Sequence, residues 1–196
     1  GNPVYDSREG CNAIIETTTN TLIQGCKTTV IPESVTEIEK CAFSGCTSLK
    51  SITIPNSVTM IMPFTFNGCT SLESIVVADG NPVYDSREGC NAIIETTINT
   101  LIKGCKTTVI PESVTAIGSS AFRGCTLLTS ITIPDSVTKI GSYAFAGCTG
   151  ELIVNCNIPS ATDSKNGAFY GADFTKVTIG DSVTTIGSMA FYDCTS

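Results

Sequence analysis

Cysteines and acidic residues are the side chains of this chain that could carry out chemistry. The 196 residues include 11 cysteines and no histidine. Thiols can pair as disulfides, hold a metal ion or act as nucleophiles, and paired carboxylates can serve as general acid and base. The absence of histidine excludes the serine and cysteine triads that use an imidazole base, and with them most zinc sites.

The spacing of the cysteines follows a repeat. The cysteines that share its phase are Cys26, Cys46, Cys69, Cys105, Cys125, Cys148 and Cys194. Their intervals are 20, 23, 36, 20, 23 and 46 residues, the last being twice 23. One cysteine in each stacked unit would place the thiols in a row, where each can act as a small buried apolar side chain. We therefore predict structural thiols. Disulfides, which the odd total disfavours, and a metal or catalytic role are the alternatives.

The acidic residues gather at two polar tips that have the same sequence. Asp6 and Glu9 flank a Ser-Arg turn, and Asp85 and Glu88 repeat that arrangement. A general acid–base pair needs two carboxyl groups held about 5–10 Å apart across a cleft, whereas an aspartate at a turn caps it and can pair with the neighbouring Arg8. We predict solvated turns here, with a weak cation site as the alternative. No catalytic, cofactor-binding or metal-ligating residue is predicted.

The net charge of −7 and the short apolar segments limit the kinds of partner. Nucleic acids and anionic membrane surfaces select for clusters of Lys and Arg, so an acidic chain is not expected to bind either. The longest apolar run, Ser74–Ala78, is far too short to cross a bilayer. No membrane insertion is therefore expected from these residues.

A large and a small repeat organise the chain. Residues Gly1–Glu16 recur unchanged as Gly80–Glu95. These segments begin two inserted units, residues 1–25 and 80–104, for which the sequence predicts a hairpin or an extra small coil. The rest of the chain follows a period of about 23 residues, which is typical of repeat architectures.

The small repeat predicts a strand, a turn and a short helical turn. Ile131 and Ile133 alternate with threonine as in a half-buried strand, and Pro134 ends the strand because proline cannot donate to a ladder. Gly141 predicts a corner with a positive φ. The residues that follow predict a single helical turn that buries Phe145. Because one coil cannot bury its apolar side alone, we predict stacked coils in which like side chains lie on one another.

One motif runs through the ordinary coils. The pattern L-x-x-I-x-I-P-x-S-V-x-x-I-G-x-x-A-F-x-G-C occurs at Leu49–Cys69 and Leu128–Cys148, and at Val177–Cys194 with one residue missing. It resembles the BspA-type leucine-rich repeat found in surface proteins of gut and oral anaerobic bacteria and of some protozoan parasites. The resemblance implies a leucine-rich-repeat solenoid, mainly β with short helical turns, in right-handed stacked coils of about 23 residues. It also implies an extracellular or cell-surface location, with no enzymatic activity and no cofactor.

The repeats extend over the whole chain. No linker or shift in composition marks a boundary, so we predict one solenoid domain over 1–196, with about eight coils. The pattern breaks off within Asp193–Ser196, which indicates a fragment of a longer protein.

The outward side chains of the long strand form the predicted binding face, because stacked strands build one continuous surface. Its residues are Lys50, Ser51, Thr53, Glu73, Ser74, Val76, Thr129, Ser130, Thr132, Lys176 and Thr178. This surface is rich in Thr and Ser and has almost no aromatic anchors of the kind that dominate protein interfaces. Ordinary solvated sheet is the alternative interpretation.

Two functions fit these features. The first is a non-enzymatic interaction module, secreted or on the cell surface, that mediates adhesion or binds proteins or glycans of a host or neighbouring cell. The second is a structural stalk that holds another domain away from the cell. Open strand edges at the ends of the solenoid would also favour end-to-end self-association.

Met60 and Phe64 depart from the repeat and would form an apolar spot if both point outward. Exposed apolar patches often mark contacts. We expect instead that the neighbouring inserted unit, from Val83 and Tyr84 onward, covers them.

Overall fold

Short strands separated by turns make up almost all of the regular structure in the computed structural model, which describes residues 2–161 and 166–195. The strands are β1 (Tyr5–Asp6), β2 (Ile14–Glu16), β3 (Thr21–Gln24), β4 (Glu37–Ile38), β5 (Ser51–Ile54), β6 (Met60–Ile61), β7 (Ser74–Val77), β8 (Tyr84–Asp85), β9 (Ala92–Glu95), β10 (Thr100–Gly104), β11 (Ala116–Ile117), β12 (Ser130–Ile133), β13 (Lys139–Ile140), β14 (Thr149–Val154) and β15 (Asp173–Ile179). Together they form a β-solenoid of about six turns, about 23 residues apart. The predicted leucine-rich-repeat solenoid is confirmed.

The first face of the solenoid consists of the longer parallel strands. β5 pairs with β7, and β12 pairs with β14, which in turn pairs with β15. The register places like side chains together, for example Ile52 beside Ile75 and Ile54 beside Val77. These side chains are buried, whereas the intervening Thr53 is exposed. The alternating sequence therefore sets which side of each strand faces the core.

The second face carries the two inserted units. Each unit is an antiparallel meander, β1-β2-β3 in the first and β8-β9-β10 in the second, whose last strand pairs in parallel with the next coil. The predicted hairpin is confirmed. The expectation of about eight coils is wrong, because each insertion widens one face by antiparallel strands and adds no complete coil.

A ridge of turns closes each coil, and the predicted helical turn is wrong there. The ordinary coils have a residue with positive φ just before the Ala-Phe or Thr-Phe pair, and a right-handed helical turn cannot contain it. These residues are Cys41, Phe64, Ser120, Tyr143 and Met189, with φ between 57° and 61°. The helical segments of the described chain are two 3₁₀ turns, Arg8–Gly10 and Arg87–Gly89.

Gly141 is needed for space and not for a positive φ, which corrects the prediction made for this corner. A Cβ on Gly141 would lie 2.4 Å from the backbone nitrogen of Ser119 in the preceding coil. Glycine therefore permits the close approach of two stacked turns. The positive φ falls two residues later, at Tyr143.

A column of stacked phenylalanine rings runs through the core behind the ridge. Ring centroids are 5.3 Å apart for Phe43 and Phe66, 4.9 Å for Phe122 and Phe145, and 5.3 Å for Phe145 and Phe169. The column is interrupted between Phe66 and Phe122, because the second inserted unit has no such turn. Its glycine Gly104 makes room for the neighbouring ring: a Cβ there would lie 2.2 Å from Phe122 Cε1.

The row of cysteines lies beside this column, and the prediction of buried thiols holds for part of it. Cys69, Cys105, Cys125 and Cys148 are buried, Cys46 and Cys194 are half-buried, and Cys26 is exposed. All eleven thiols are free. Cys69 Sγ donates to the carbonyl of Phe43 and Cys148 Sγ donates to that of Phe122, each at 3.1 Å. Both thiols are buried. The repeated cysteine thus acts as a small apolar side chain whose S–H links one coil to the coil before it.

Candidate functional site

The structure places the predicted binding face on the outer side of the longer strands. Of its eleven residues ten are exposed and Ser74 is half-buried. Ser51 lies opposite Ser74 and Thr53 opposite Val76, so these residues form one continuous patch on β5 and β7. Lys50 and Glu73 directly precede β5 and β7, and the remaining residues lie on and next to β12 and β15. The two patches are not adjacent within one sheet.

The turn that follows the second inserted unit contacts the first patch. The backbone N–H of Lys106 donates to Leu72 O at 3.3 Å, and its ammonium lies 2.8 Å from a carboxylate oxygen of Glu73. The hydrogen bond from Lys106 and its charge hold the pKa of Glu73 below its ordinary value. Thr107 Oγ1 also donates to Glu73 O. The turn at Lys106 and Thr107 is therefore fixed against the edge of the first patch.

The predicted binding face left out the outward residues of β14, the middle strand of the second patch. Glu151 lies between Ser130 and Lys176, and Ile153 lies between Thr132 and Thr178. Glu151 and Lys176 approach each other to 4.0 Å, an exposed pair of small energetic weight. The strand at 151–154 lacks the Pro-x-Ser-Val ending that follows the outward residues of the ordinary coil.

A second surface, not predicted, lies on the ridge of turns in the C-terminal half; it combines the exposed Arg123 and Tyr192 with the half-buried Tyr143 and Tyr170. We call it the aromatic stripe and define it as Arg123, Tyr143, Tyr170 and Tyr192. The centroids of Tyr143 and Tyr170 are 6.0 Å apart in an edge-to-face arrangement, and those of Tyr170 and Tyr192 are 6.4 Å apart and nearly parallel. The Arg123 guanidinium lies 5.2 Å from the centre of the Tyr143 ring, within the range of a cation–π contact.

The stripe arises from two variable positions of the repeat. Tyr143 occupies the position before Ala-Phe, while Arg123, Tyr170 and Tyr192 occupy the position after it. Stacked coils bring these positions into line, so the side chains of four successive coils form one row. Comparing the residues that follow Ala-Phe in each coil would have found Arg123, Tyr170 and Tyr192 but not Tyr143.

Met60 and Phe64 are not covered by the second inserted unit, and our expectation was wrong. Their exposed fractions are 50% and 46%. Tyr84 of that unit is buried, and its hydroxyl oxygen accepts a hydrogen bond of 3.1 Å from Ile61 N–H. The second inserted unit therefore packs beside β6 and leaves the side chains of the neighbouring ridge exposed. The Lys40 ammonium lies 5.9 Å from the centre of the Phe64 ring.

The acidic tips form local ion pairs. Arg8 Nε donates to both carboxylate oxygens of Asp6 at 3.0 Å, and Arg87 binds Asp85 in the same way. Arg8 Nη1 also donates to Asn20 Oδ1 at 2.9 Å. The carboxylates therefore hold the shape of the tip, as predicted. Within the described ranges, no three His, Cys, Asp or Glu side chains are grouped so that they could hold a metal ion.

The thiols differ widely in chemical character. Burial raises the pKa of Cys69 to about 12, although the nearby positive charge of Lys103 acts in the opposite direction. Cys26 is exposed, and a hydrogen bond with the Thr28 side chain lowers its pKa. Since the thiolate is the reactive form, Cys26 is the more reactive of the two.

Comparison with known proteins agrees with this architecture. The family described as the BspA type leucine rich repeat region, six copies, matches residues 20–100 and 99–196. The search of curated proteins finds no match. Over the described residues, no helix has the length and apolarity needed to cross a membrane.

Two solved structures are similar to this chain. A leucine rich cell surface protein from Faecalibacterium prausnitzii is 27% identical, with a TM-score of 0.54 over 84% of this chain and 51% of its own. A leucine-rich repeat protein from Eubacterium ventriosum is 18% identical, with a TM-score of 0.52 over 89% of this chain and 59% of its own. This chain thus spans between half and three-fifths of the length of these proteins.

The match to the family covers the ordinary coils, the whole second inserted unit and the last residues, 20–25, of the first. Proteins of this family are surface proteins in bacteria, and their repeats are typically non-enzymatic binding modules. With the stacked strands, the phenylalanine column and the cysteine row, the match shows that this chain belongs to the BspA-type leucine-rich-repeat family.

Proposed function

We propose that this chain is a non-enzymatic adhesion module, exposed on a cell surface or secreted, that binds a protein or glycan of a host or neighbouring cell. The observation that carries the proposal is the aromatic stripe. Tyrosine and arginine are the residue types most enriched among interface residues that contribute strongly to affinity. Here three tyrosines and one arginine lie in a row over four coils.

The geometry of the stripe suits binding. Tyrosine presents a large ring and a polar hydroxyl, and it loses little conformational entropy when a partner covers it. The rings contact one another at 6.0 and 6.4 Å, so each is already held by its neighbour. Such a row can stack against the rings of a glycan or against apolar side chains of a protein.

The predicted strand face has a different character and would contribute a polar surface. It offers hydroxyl groups from Thr and Ser, and its exposed apolar residue on β7 is Val76. We propose that it forms part of the contact area of a large partner, where polar contacts add selectivity more than affinity.

The test is binding to immobilised extracellular-matrix proteins and to a glycan array. Replacing Tyr170 and Tyr192 by Ala should weaken binding by about thirtyfold, which corresponds to about 1 kcal/mol for each ring. The matched control replaces the same residues by Phe, which keeps the rings. A second variant, Thr53→Ala with Thr132→Ala, tests the strand face. Loss of binding in either alanine variant, at unchanged melting temperature, supports the proposed adhesion module. If neither variant changes binding, the proposal is overturned.

The alternative is a structural stalk that holds another domain away from the cell. The uniform Thr and Ser surface of the strand face favours it, because an exposed threonine is simply a good strand residue. In that case adhesion of cells that display the protein should change when a large repeat is deleted or duplicated. Substitutions in the aromatic stripe should then have no effect.

We also propose that the solenoid associates end to end with further copies. Apolar side chains are exposed at both ends: Val4, Tyr5 and Ile14 at one, and Val177, Ile179 and Ile186 at the other. In the second inserted unit the equivalent residues are Val83, Tyr84 and Ile93, and they pack against the preceding coil. Ser86 Oγ of that unit accepts the N–H of Val77 at 2.9 Å. Its equivalent, Ser7, contacts Cys11 Sγ at 3.6 Å instead.

A further inference from the structure

A cavity of about 280 Å³ lies where the ridge of turns is interrupted. Its walls are the turn at 62–67 on one side and residues 118–120 on the other, and β10 of the second inserted unit lies between them. In an ordinary pair of coils the ridges contact directly, as Phe122 N–H does when it donates to Ala144 O at 2.7 Å. Here β10 lies between the two turns, but no ridge turn follows it. The space left by the missing turn is the cavity.

A buried lysine lines this cavity. Lys103 is only 8% exposed, and no carboxylate of the described chain lies within 4.0 Å of its ammonium group. Glu95 lines the same cavity but is farther away than that limit. An ammonium group that keeps only a small exposed area and gains no charged partner in return is less stable than a paired one. The cavity therefore favours an anion next to Lys103.

The remaining walls are apolar, with a small number of donors. Met62, Pro63, Phe64 and Phe66 contribute side chains. The hydroxyl oxygen of Tyr84 accepts the N–H of Ile61, and no acceptor in residues 2–161 or 166–195 takes its proton. The N–H of Phe66 likewise lacks the coil-to-coil partner that Phe43 N–H has in Thr65 O at 2.9 Å.

We propose that this cavity binds a small ligand with one carboxylate and an apolar body. The carboxylate pairs with Lys103 and accepts the proton of Tyr84, while the apolar body packs against Phe66 and Met62. One cation and a nearby Glu95 match a single negative charge better than the two charges of a phosphate. The volume equals that of roughly nine water molecules at about 30 Å³ each, which limits the ligand to about the size of one amino acid.

The first inserted unit supplies a natural control. Gln24 occupies the position of Lys103 there, and its amide donates to Gly25 O at 3.1 Å and Ala42 O at 2.9 Å. Glutamine is therefore compatible with this strand, and Lys103→Gln should fold. The opposite change, Gln24→Lys, introduces a lysine where no turn like 62–67 forms a second wall.

The test is titration of ¹⁵N-labelled protein with N-acetyl-phenylalanine, followed by amide shifts. We expect shifts at residues 64–68 and 103 with a dissociation constant in the millimolar range. N-acetyl-phenylalaninamide, which lacks the charge, should bind at least about tenfold more weakly, as expected when a charge-assisted hydrogen bond is lost. Lys103→Gln should remove the difference between the two probes, while Gln24→Lys should leave it unchanged. Glu95→Gln should strengthen binding of the carboxylate.

Three results would overturn the proposal. The first is equal affinity for the acid and the amide, and the second is unchanged affinity in Lys103→Gln. The third is tighter binding of inorganic phosphate than of N-acetyl-phenylalanine, which would indicate a general anion site. If Lys103→Gln proved unstable, Lys103→Met would take its place, because methionine keeps the length of the apolar stem.

Discussion

Ile14 and Ile93 occupy the same position in two segments of identical sequence, yet Ile14 is 48% exposed and Ile93 is fully buried. Ile93 belongs to the apolar cluster that contains Ile75 and Val77 of the preceding β7. No strand among the described residues occupies the equivalent place next to Ile14. The burial of this isoleucine is therefore decided by a neighbouring coil and not by its own segment.

The two isoleucines provide a matched test of that relationship. Ile93→Asp places a carboxylate in the core and should lower the free energy of unfolding by more than about 4 kcal/mol. Ile14→Asp changes an exposed side chain and should alter it by less than about 0.5 kcal/mol. Urea denaturation followed by circular dichroism measures both. Similar losses in the two variants would contradict the packing described for β7 and β9.

Gly104 should be intolerant of even one added methyl group. A Cβ at this position would lie 2.2 Å from the ring of Phe122, so Gly104→Ala should destabilise the fold by about 1–3 kcal/mol. Phe122→Leu replaces the ring by a smaller side chain. The double variant should therefore recover part of that loss. A double-mutant cycle measured by thermal unfolding gives the coupling energy. Strictly additive effects would show that the two residues do not compete for the same space.

The sequence predicted the elements that depend on period, and missed those that depend on neighbours. Alternating Ile and Thr in β5 and β12, the stacked phenylalanines and the cysteine row all follow from one coil placed on the next. Tyr143 illustrates the opposite case. Its positive φ is needed because the ridge forms hydrogen bonds between coils, as from Tyr143 N–H to Gly167 O, and a local helical turn would not.

The candidate sites were harder to predict than the fold for the same reason. Tyr143, Tyr170 and Tyr192 belong to different coils and two different positions of the repeat, so their alignment appears only after stacking. The cavity beside Lys103 depends on an interruption of the ridge, which no local pattern describes. Strand-face residues such as Thr53 could be predicted because a strand determines its outward side chains by itself.

Cys26 should react with thiol reagents at a lower pH than the buried cysteines. Its lowered pKa means that more thiolate is present at a given pH, whereas Cys69, with a pKa raised to about 12, remains protonated through the neutral and mildly alkaline range. Modification by a chromogenic disulfide between pH 6 and about 9 should show one fast thiol whose rate levels off early. Cys26→Ser should remove that phase and leave the slower ones. Persistence of the fast phase would assign it to another thiol.

End-to-end association should depend on concentration and should involve two different surfaces. We expect the apolar surface of one end to pack against the different surface of the other, a head-to-tail contact, and repeated contacts of that kind produce open chains. Sedimentation velocity should therefore show species that grow with protein concentration. Added salt should favour them, since it screens the repulsion between chains of net charge −7.

Substitution at one end at a time tests that geometry. Ile14→Asp blocks one end and Ile179→Asp the other, so each variant alone should be monomeric. Mixed in equal amounts they should form a dimer and stop, because the mixture contains one intact surface of each kind per pair. A contact between two copies of the same end would give a different result: one variant would still dimerise by itself, and mixing would add nothing. Monomers at all concentrations in the unmodified protein would rule out both arrangements.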